Sequence, residues 1–421
     1  MSKRQSQSPK KTNYSQIGQS MASAWGDKLE RGADLENFIK RQTVSHKTKK
    51  LGNMNVLVNT LDYQLDVAEK HIFFTQVFPQ VVNVARFITS GPLCGLLDKF
   101  NTQTSELQLT RMEVACILSN AFLCTFPDTS EINFTELYSC RNGNDRSRVE
   151  MIKCIITYFN SIFVNFDQTF FQETVTFKKS TIENAPDWFG SEKPIIPFSI
   201  VPKGSISQAY NMAQVNFANK CIGGGVLEGL CLREEIWFIT CPELIASKLF
   251  VKEMADNEAI IVEGVLQYAD FDGTDAQSFT CKGPKSKDSI RGPHTVISMD
   301  ALNFSSGCPN VTEQFAKKNV DRELNKAYAG FSGTKLGTIA TGNWGSGCYM
   351  GNTILKAKIQ MIAASEAKKA LFYYSFYNDD VVEKLEEKIL QKLEDENQSV
   401  GEAYRQLLTW CQSQEKKICY K

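Results

Sequence analysis

The stretch VNFANKCIGGGVLEGLCLREEIWFIT, residues 215–240, carries three kinds of segment in one line. It opens in a short run of Val and Phe, part of QVNFAN, that fits a strand. It passes through three consecutive glycines, Gly223, Gly224 and Gly225. It closes in EEIWFIT, the start of a helix-like stretch that runs on through CPELIASKLF. Strand, loop and helix in that order form the repeating unit of an α/β body. Bare peptide N–H groups suit a phosphate. Paired carboxylates, Glu234 and Glu235, suit cleavage of a sugar bond. Adjacent side chains on regular backbone point different ways, so the pair is expected to divide labour, one acid reacting and the other orienting. Spacing alone favours a plainer reading, two acids in the first turn of a helix where the dipole welcomes them.

Working outward, the same alternation continues to the end of the chain. PIIPFSIV, AIIVEGVLQY, HTVISMDAL and LFYYSF fit strands. EQFAKKNVDRELNKAYAGF and NTILKAKIQMIAASEAKKAL fit helices. The pattern predicts a mostly parallel or mixed sheet with helices on both faces. A second glycine-rich loop, GNWGSGCYMGN at 342–352, runs into the helix TILKAKIQ. In open sheets of this kind such loops lie at the carboxyl ends of strands, where ligands bind. Neither loop carries the G-K-[ST] of a P-loop or the G-x-G-x-x-G of a dinucleotide fold. SFTCKGPKSKDSIRGP, residues 278–293, reads as a basic loop.

Upstream the period changes. From about 54 to 165 the apolar residues recur at helical spacing. LTRMEVACILSNAFLCTF places Leu109, Met112, Ala115, Cys116 and Ser119 on one side, behind an N-cap candidate at Thr110 with Glu113 three residues on. VEMIKCIITYFNSIF is a second such helix. Residues 1–50 are rich in Ser, Gln and Lys and read as a mobile basic arm, in which Lys3-Arg4 and Lys10-Lys11 fit a solvated tail. The expected organisation is an arm over 1–50, an all-helical accessory domain over 51–190, and an α/β domain with C-terminal helices over 191–421.

Composition narrows the function classes. The chain has 421 residues, 42% hydrophobic, and a formal net charge of zero. No global field draws it to nucleic acid or to a membrane surface, and no direct nucleic-acid reading is expected. MSKRQSQSPKK lacks the apolar core of a secretory signal, and no run of about 18 apolar residues offers a bilayer span. The thirteen cysteines include no C-x-x-C pair and only three histidines are present, so neither a zinc site nor any other metal is expected. Nucleus or cytoplasm is the expected compartment.

The run from Val215 to Phe250 resembles the signature of the poly(ADP-ribose) glycohydrolases, in which GGG is followed after six to eight residues by Gln-Glu-Glu. LSNAFLCTFP at 118–127, ELNKAYAGF at 323–331 and ATGNWGSGCYMG also resemble that family. The similarity runs in order from about 76 to 415. It implies a macrodomain, a three-layer α/β/α sandwich with a mixed sheet, preceded by a helical domain. It implies hydrolysis of the ribose–ribose O-glycosidic bonds of poly(ADP-ribose), without a cofactor, on the polymer or on ADP-ribosylated proteins. By the same resemblance Glu235 is the acid/base and must hold a proton near neutral pH, which burial provides. Glu234 grips ribose hydroxyls. Gly223, Gly224 and Gly225 cradle the diphosphate together with Gly345, Ser346, Gly347, Cys348 and Tyr349. Asn343 and Phe376 shape the ribose side, and Ile206 and Arg233 belong to the substrate site.

Departures from the family pattern leave two functions open. Asn216 stands where the family has an acid among the catalytic residues. Arg233 replaces the Gln that helps read adenine, Ser207 replaces an acid that contacts adenine, and Thr274 replaces a Tyr that closes over it, with Phe271 as a substitute. Met350-Gly351-Asn352 replaces Gly-Gly-Asp. The first function is an active glycohydrolase. The second is a non-catalytic ADP-ribose reader or scaffold subunit docked on protein partners.

Overall fold

The computed structural model describes residues 29–44, 52–90, 105–126, 131–140, 145–290, 292, 294–305, 311–376, 378–390 and 398–419. The basic pairs at Lys3-Arg4 and Lys10-Lys11 lie outside these residues.

Among the described residues ten strands form: β1 (Glu106–Thr110), β2 (Thr174–Thr181), β3 (Ser199–Val201), β4 (Ala213–Ala218), β5 (Glu258–Val265), β6 (Ala269–Asp272), β7 (Thr280–Pro284), β8 (His294–Asp300), β9 (Thr338–Gly342) and β10 (Ala370–Tyr374). Eight make one sheet in the order β1-β2-β5-β8-β4-β9-β10-β3, and β6 pairs with β7 in a separate hairpin. One strand of the hairpin, β7, falls in the segment read as a basic loop: its β-branched Thr280 and half-buried Cys281 pair across to Asp272 and Phe271 of β6. In the main sheet, β1, β2, β5 and β8 pair antiparallel. From β8 through β4, β9 and β10 to β3 every pairing is parallel. Parallel neighbours finish at the same edge, so the segments after β8, β4, β9 and β10 gather there.

The helices among the described residues include α1 (Gly32–Val44), α2 (Arg111–Phe122), α3 (Arg146–Asn160), α4 (Arg233–Thr240), α5 (Lys317–Ser332), α6 (Thr353–Glu366) and α7 (Val400–Cys419). Alternation along β5 sets the layers. Ile260 and Val262 join a core with Val114 of α2, Ile152 of α3 and Ile236 of α4. Ala259 and Ile261 join the opposite core with Leu324 of α5, Ile359 of α6 and Leu407 of α7. The result is a three-layer sandwich carrying a mixed sheet.

Three expectations change. Residues 1–50 are not all arm: α1 buries Leu35, Phe38 and Ile39, an i, i+3, i+4 stripe that short stretches of Ser and Lys conceal. The upstream part is largely helical, yet it gives the sheet two strands, because TVTFKKST at β2 combines β-branched residues with Val175 and Phe177 that bury completely. The expected boundary at 190 therefore cuts a shared sheet. Leu109 belongs to β1 rather than to the helix behind it. Thr110 does cap α2, its Oγ1 accepting from the Glu113 N–H while Glu113 accepts from the Thr110 N–H.

A buried ion pair ties the upstream part to the rest. Arg111 Nη1 donates to Glu243 Oε1 at 2.6 Å, with the two side chains 4% and 1% exposed. Glu243 also accepts from the Tyr268 hydroxyl and the Leu266 N–H, and Arg111 reaches Gly264 O and Glu173. These further bonds on both partners are what makes a desolvated pair tolerable.

Candidate active site

The site lies where the parallel strands end. β4 finishes at Ala218 and runs into Asn219 and the triple glycine; its neighbour β9 finishes at Gly342 and runs into the second glycine loop. A hydrogen bond joins the two, Asn219 Nδ2 to the Tyr349 hydroxyl at 3.3 Å. The two loops therefore meet at one edge of the sheet.

Glu234 and Glu235 do occupy the first turn of α4, and both are buried. They do not point apart. Glu234 Oε1 accepts from the Gly223 N–H at 2.8 Å and its Oε2 from the Asn219 N–H at 2.7 Å. Glu235 Oε1 accepts from the Gly225 N–H at 3.0 Å, and its Oε2 from the Leu232 N–H at 3.0 Å. Both carboxylates close on Gly224, whose N–H turns inward to Cys221 O. A Cβ on Gly224 would stand 2.3 Å from Glu235 Oε1 and 2.9 Å from Glu234 Oε2, and its φ of 47° is left-handed. Only glycine serves at this position.

The N–H groups of Gly223 and Gly225 are spent on the glutamates and that of Gly224 on a turn, so the first loop holds the two acids in place. Lys248, in the 3-10 segment after α4, steadies the loop from below by donating to Ile222 O and Gly224 O.

The second loop differs. The N–H groups of Gly345, Gly347, Cys348 and Tyr349 donate to no acceptor among the described residues. Ser346 donates its N–H to Asn343 O, and the Asn343 side chain accepts from the Tyr373 hydroxyl at 2.8 Å. Beneath the loop lies Lys356 of α6, nearly fully buried, paired with Glu323 and 4.5 Å from the Trp344 ring centroid. Its Nζ would sit 3.1 Å from a Cβ on Gly345. A cradle of open N–H groups over a buried cation favours an anion.

Burial dominates the acidity of Glu234, pushing its carboxyl up to about 8 against the two N–H bonds that favour ionisation. The nearby Glu235 charge pushes the same way, and Lys248 opposes it. Tyr349 is raised by burial first and then by the Glu234 charge, which places its hydroxyl in the same field.

Beside the acids opens a pocket. Ile206, Ser207, Asn216, Arg233, Phe271, Thr274 and Phe376 all line it, along with Trp237 and Gln267. Asn216 is buried on β4 and its amide donates to Ser298 Oγ at 3.2 Å. It is a wall residue of the pocket, bonded to its register partner on β8 and to neither glutamate among the described residues. Arg233 does not approach the acids. Its Cζ lies 4.0 Å from the centroid of the Phe376 ring. Asn219, Lys248 and Lys356 escaped sequence reasoning; the only signals were a second Asn after Asn216 and lone lysines inside apolar helical stretches.

Two sequence models describing poly(ADP-ribose) glycohydrolase match, its macro domain fold over residues 185–383 and its helical domain over residues 65–179. Poly(ADP-ribose) glycohydrolase 1 of Arabidopsis thaliana is 27% identical over 80% of this chain and 78% of its own. Probable poly(ADP-ribose) glycohydrolase 2 of the same plant is 26% identical over 72% of this chain and 68% of its own. A crystal structure of poly(ADP-ribose) glycohydrolase from Thermomonospora curvata aligns at 12% identity and a TM-score of 0.34, over 54% of this chain and 93% of that one.

Proposed function

Because the chain belongs to the poly(ADP-ribose) glycohydrolase family, we infer that it hydrolyses poly(ADP-ribose) through Glu235, with Glu234 as the sugar-holding partner. The observation that carries this reading is the convergence of both carboxylates on Gly224 beside the anion cradle. The diphosphate lies on the open N–H groups of Gly345 to Tyr349. That anchors the adjoining ribose over the acids. Glu235 protonates the departing ribose oxygen as positive charge grows on the anomeric carbon, then takes a proton from the attacking water. Glu234, whose carboxyl burial pushes up to about 8, hydrogen-bonds a ribose hydroxyl. Fixed N–H bonds hold each carboxylate in place before substrate arrives, so little reorganisation is left to the reaction.

A non-catalytic reader or scaffold is not favoured. Of the residues that depart from the family, Arg233, Ser207, Thr274 and Asn216 line the neighbouring pocket, and Met350 to Asn352 end the second loop. The glutamate pair and its glycine loop are whole. The test is incubation with labelled poly(ADP-ribose). Free ADP-ribose should accumulate with time and enzyme; an intact polymer at stoichiometric enzyme would reject the reading.

A further inference from the structure

Hydrolysis leaves a pair of thiols unused. Cys154 of α3 and Cys281 of β7 are both free. Glu150, Cys154 and Thr157 share one face of α3, four and then three residues apart. Cys281 sits against that face. Its N–H donates to Glu150 Oε2 at 2.9 Å, and its Sγ lies 3.9 Å from Thr157 Oγ1. Cys154 stands between those two contacts and is completely buried, whereas Cys281 is half-buried. A hydrogen bond from Cys154 holds the Cys281 thiol below the ordinary range, against the effect of burial. Burial keeps Cys154 well above that range. The outer sulfur is thus the one a small oxidant reaches, and the one richer in thiolate.

β7 belongs to the hairpin outside the main sheet. Its partner β6 carries Phe271, which is paired in register with Cys281. Phe271, Gly273 and Thr274 line the pocket beside the acids. The hairpin rests on α3 through hydrogen bonds. Besides the Glu150 contact, Arg146 donates to Gln277 O at 2.7 Å and to Thr280 Oγ1 at 2.9 Å. A change at Cys281 is therefore transmitted to the pocket wall.

We propose that Cys154 and Cys281 form a reversible disulfide that pins the hairpin to α3 and displaces this wall. Hydrogen peroxide is the oxidant. The Cys281 thiolate attacks one peroxide oxygen, the O–O bond breaks, and a sulfenic acid forms; the hydroxide released takes up a proton to become water. The Cys154 sulfur then attacks the sulfenic sulfur. The S–S bond forms, the S–O bond breaks, and the oxygen leaves with the Cys154 proton as a second water. The two thiols lose two electrons and two protons, and the peroxide is reduced. The new bond draws β7 onto α3 and takes Phe271 with it, which weakens substrate binding. That last effect rests on the glycohydrolase reading; the disulfide does not.

The test is digestion of peroxide-treated protein without reductant, read by mass spectrometry. A peptide joining Cys154 to Cys281, lost on adding dithiothreitol, is expected, with slower amide exchange across 269–284. The KM for poly(ADP-ribose) should rise at least about fivefold, the low end of coupling between two sites, and recover on reduction. Cys281→Ser should show neither the link nor the rise. Two free thiols, or Cys281 oxidised without the link, overturn the pair. An unchanged KM in the linked protein, or a rise that persists in Cys281→Ser, overturns its control of the pocket. A linked peptide from a chain that hydrolyses no polymer rejects the glycohydrolase reading alone, and amide exchange then decides whether the hairpin is pinned.

Discussion

At the scale of single residues the site is built on Gly224. Gly224→Ala should fail twice, by strain at positive φ and by collision with both carboxylates. A loss of about 1–3 kcal/mol in urea denaturation is expected, with hydrolysis of polymer abolished. Glu234 makes a pH prediction. Its folded pKa of about 8 lies above the ordinary carboxylate value of 4.5. Its contribution to stability is therefore fully present below about pH 4.5 and is lost as pH rises through about 8, since the fold holds a proton that the unfolded chain has released. Denaturation midpoints measured across that window should fall more steeply for the native chain than for Glu234→Gln; parallel curves would refute the assignment. The glutamate pair and both glycine loops were legible in the sequence. The partition between the loops was not, because which N–H groups are spent depends on side chains folding back over ten residues. Arg233 was legible as a cation beside the acids, but its direction depends on Phe376, 143 positions away.

At the scale of elements, capping chemistry was readable and strand membership less so. Thr110 and Glu113 form their reciprocal cap as the S/T-x-x-E pattern indicates. Thr110→Ala should cost about 1 kcal/mol in thermal or urea unfolding without altering the rate per folded molecule. The alternation of strand and helix beyond residue 195 indicated β3, β4, β8 and β10 of the parallel half, and missed β9, whose TIATG is short and runs into the glycine loop. β1 and β2 were hidden because each lies beside helices, where a five- or eight-residue apolar alternation is easily absorbed into a helical period. Helix α1 was hidden for the opposite reason, since its polar face outweighs three buried apolar residues in composition.

At the scale of the whole molecule, the upstream part is fastened to the α/β body by a shared sheet, a shared core and the Arg111–Glu243 pair. Arg111→Met should leave Glu243 buried and unpaired, and cost about 3–5 kcal/mol. Replacing both partners by apolar residues should recover much of that loss, a result read from the denaturation midpoints of the two variants. Such a pairing across 132 positions cannot be read from spacing. The family resemblance supplied the architecture that periodicity alone left open. The central claim is that substrate binding and bond cleavage are carried by different parts of one edge, the open N–H loop and Glu235. The most direct test is Glu235→Gln, measured for polymer turnover and for ADP-ribose affinity in the same preparation. Turnover should fall at least about 100-fold, with the dissociation constant held within about threefold. Retained turnover, or affinity lost in step with it, would contradict the account.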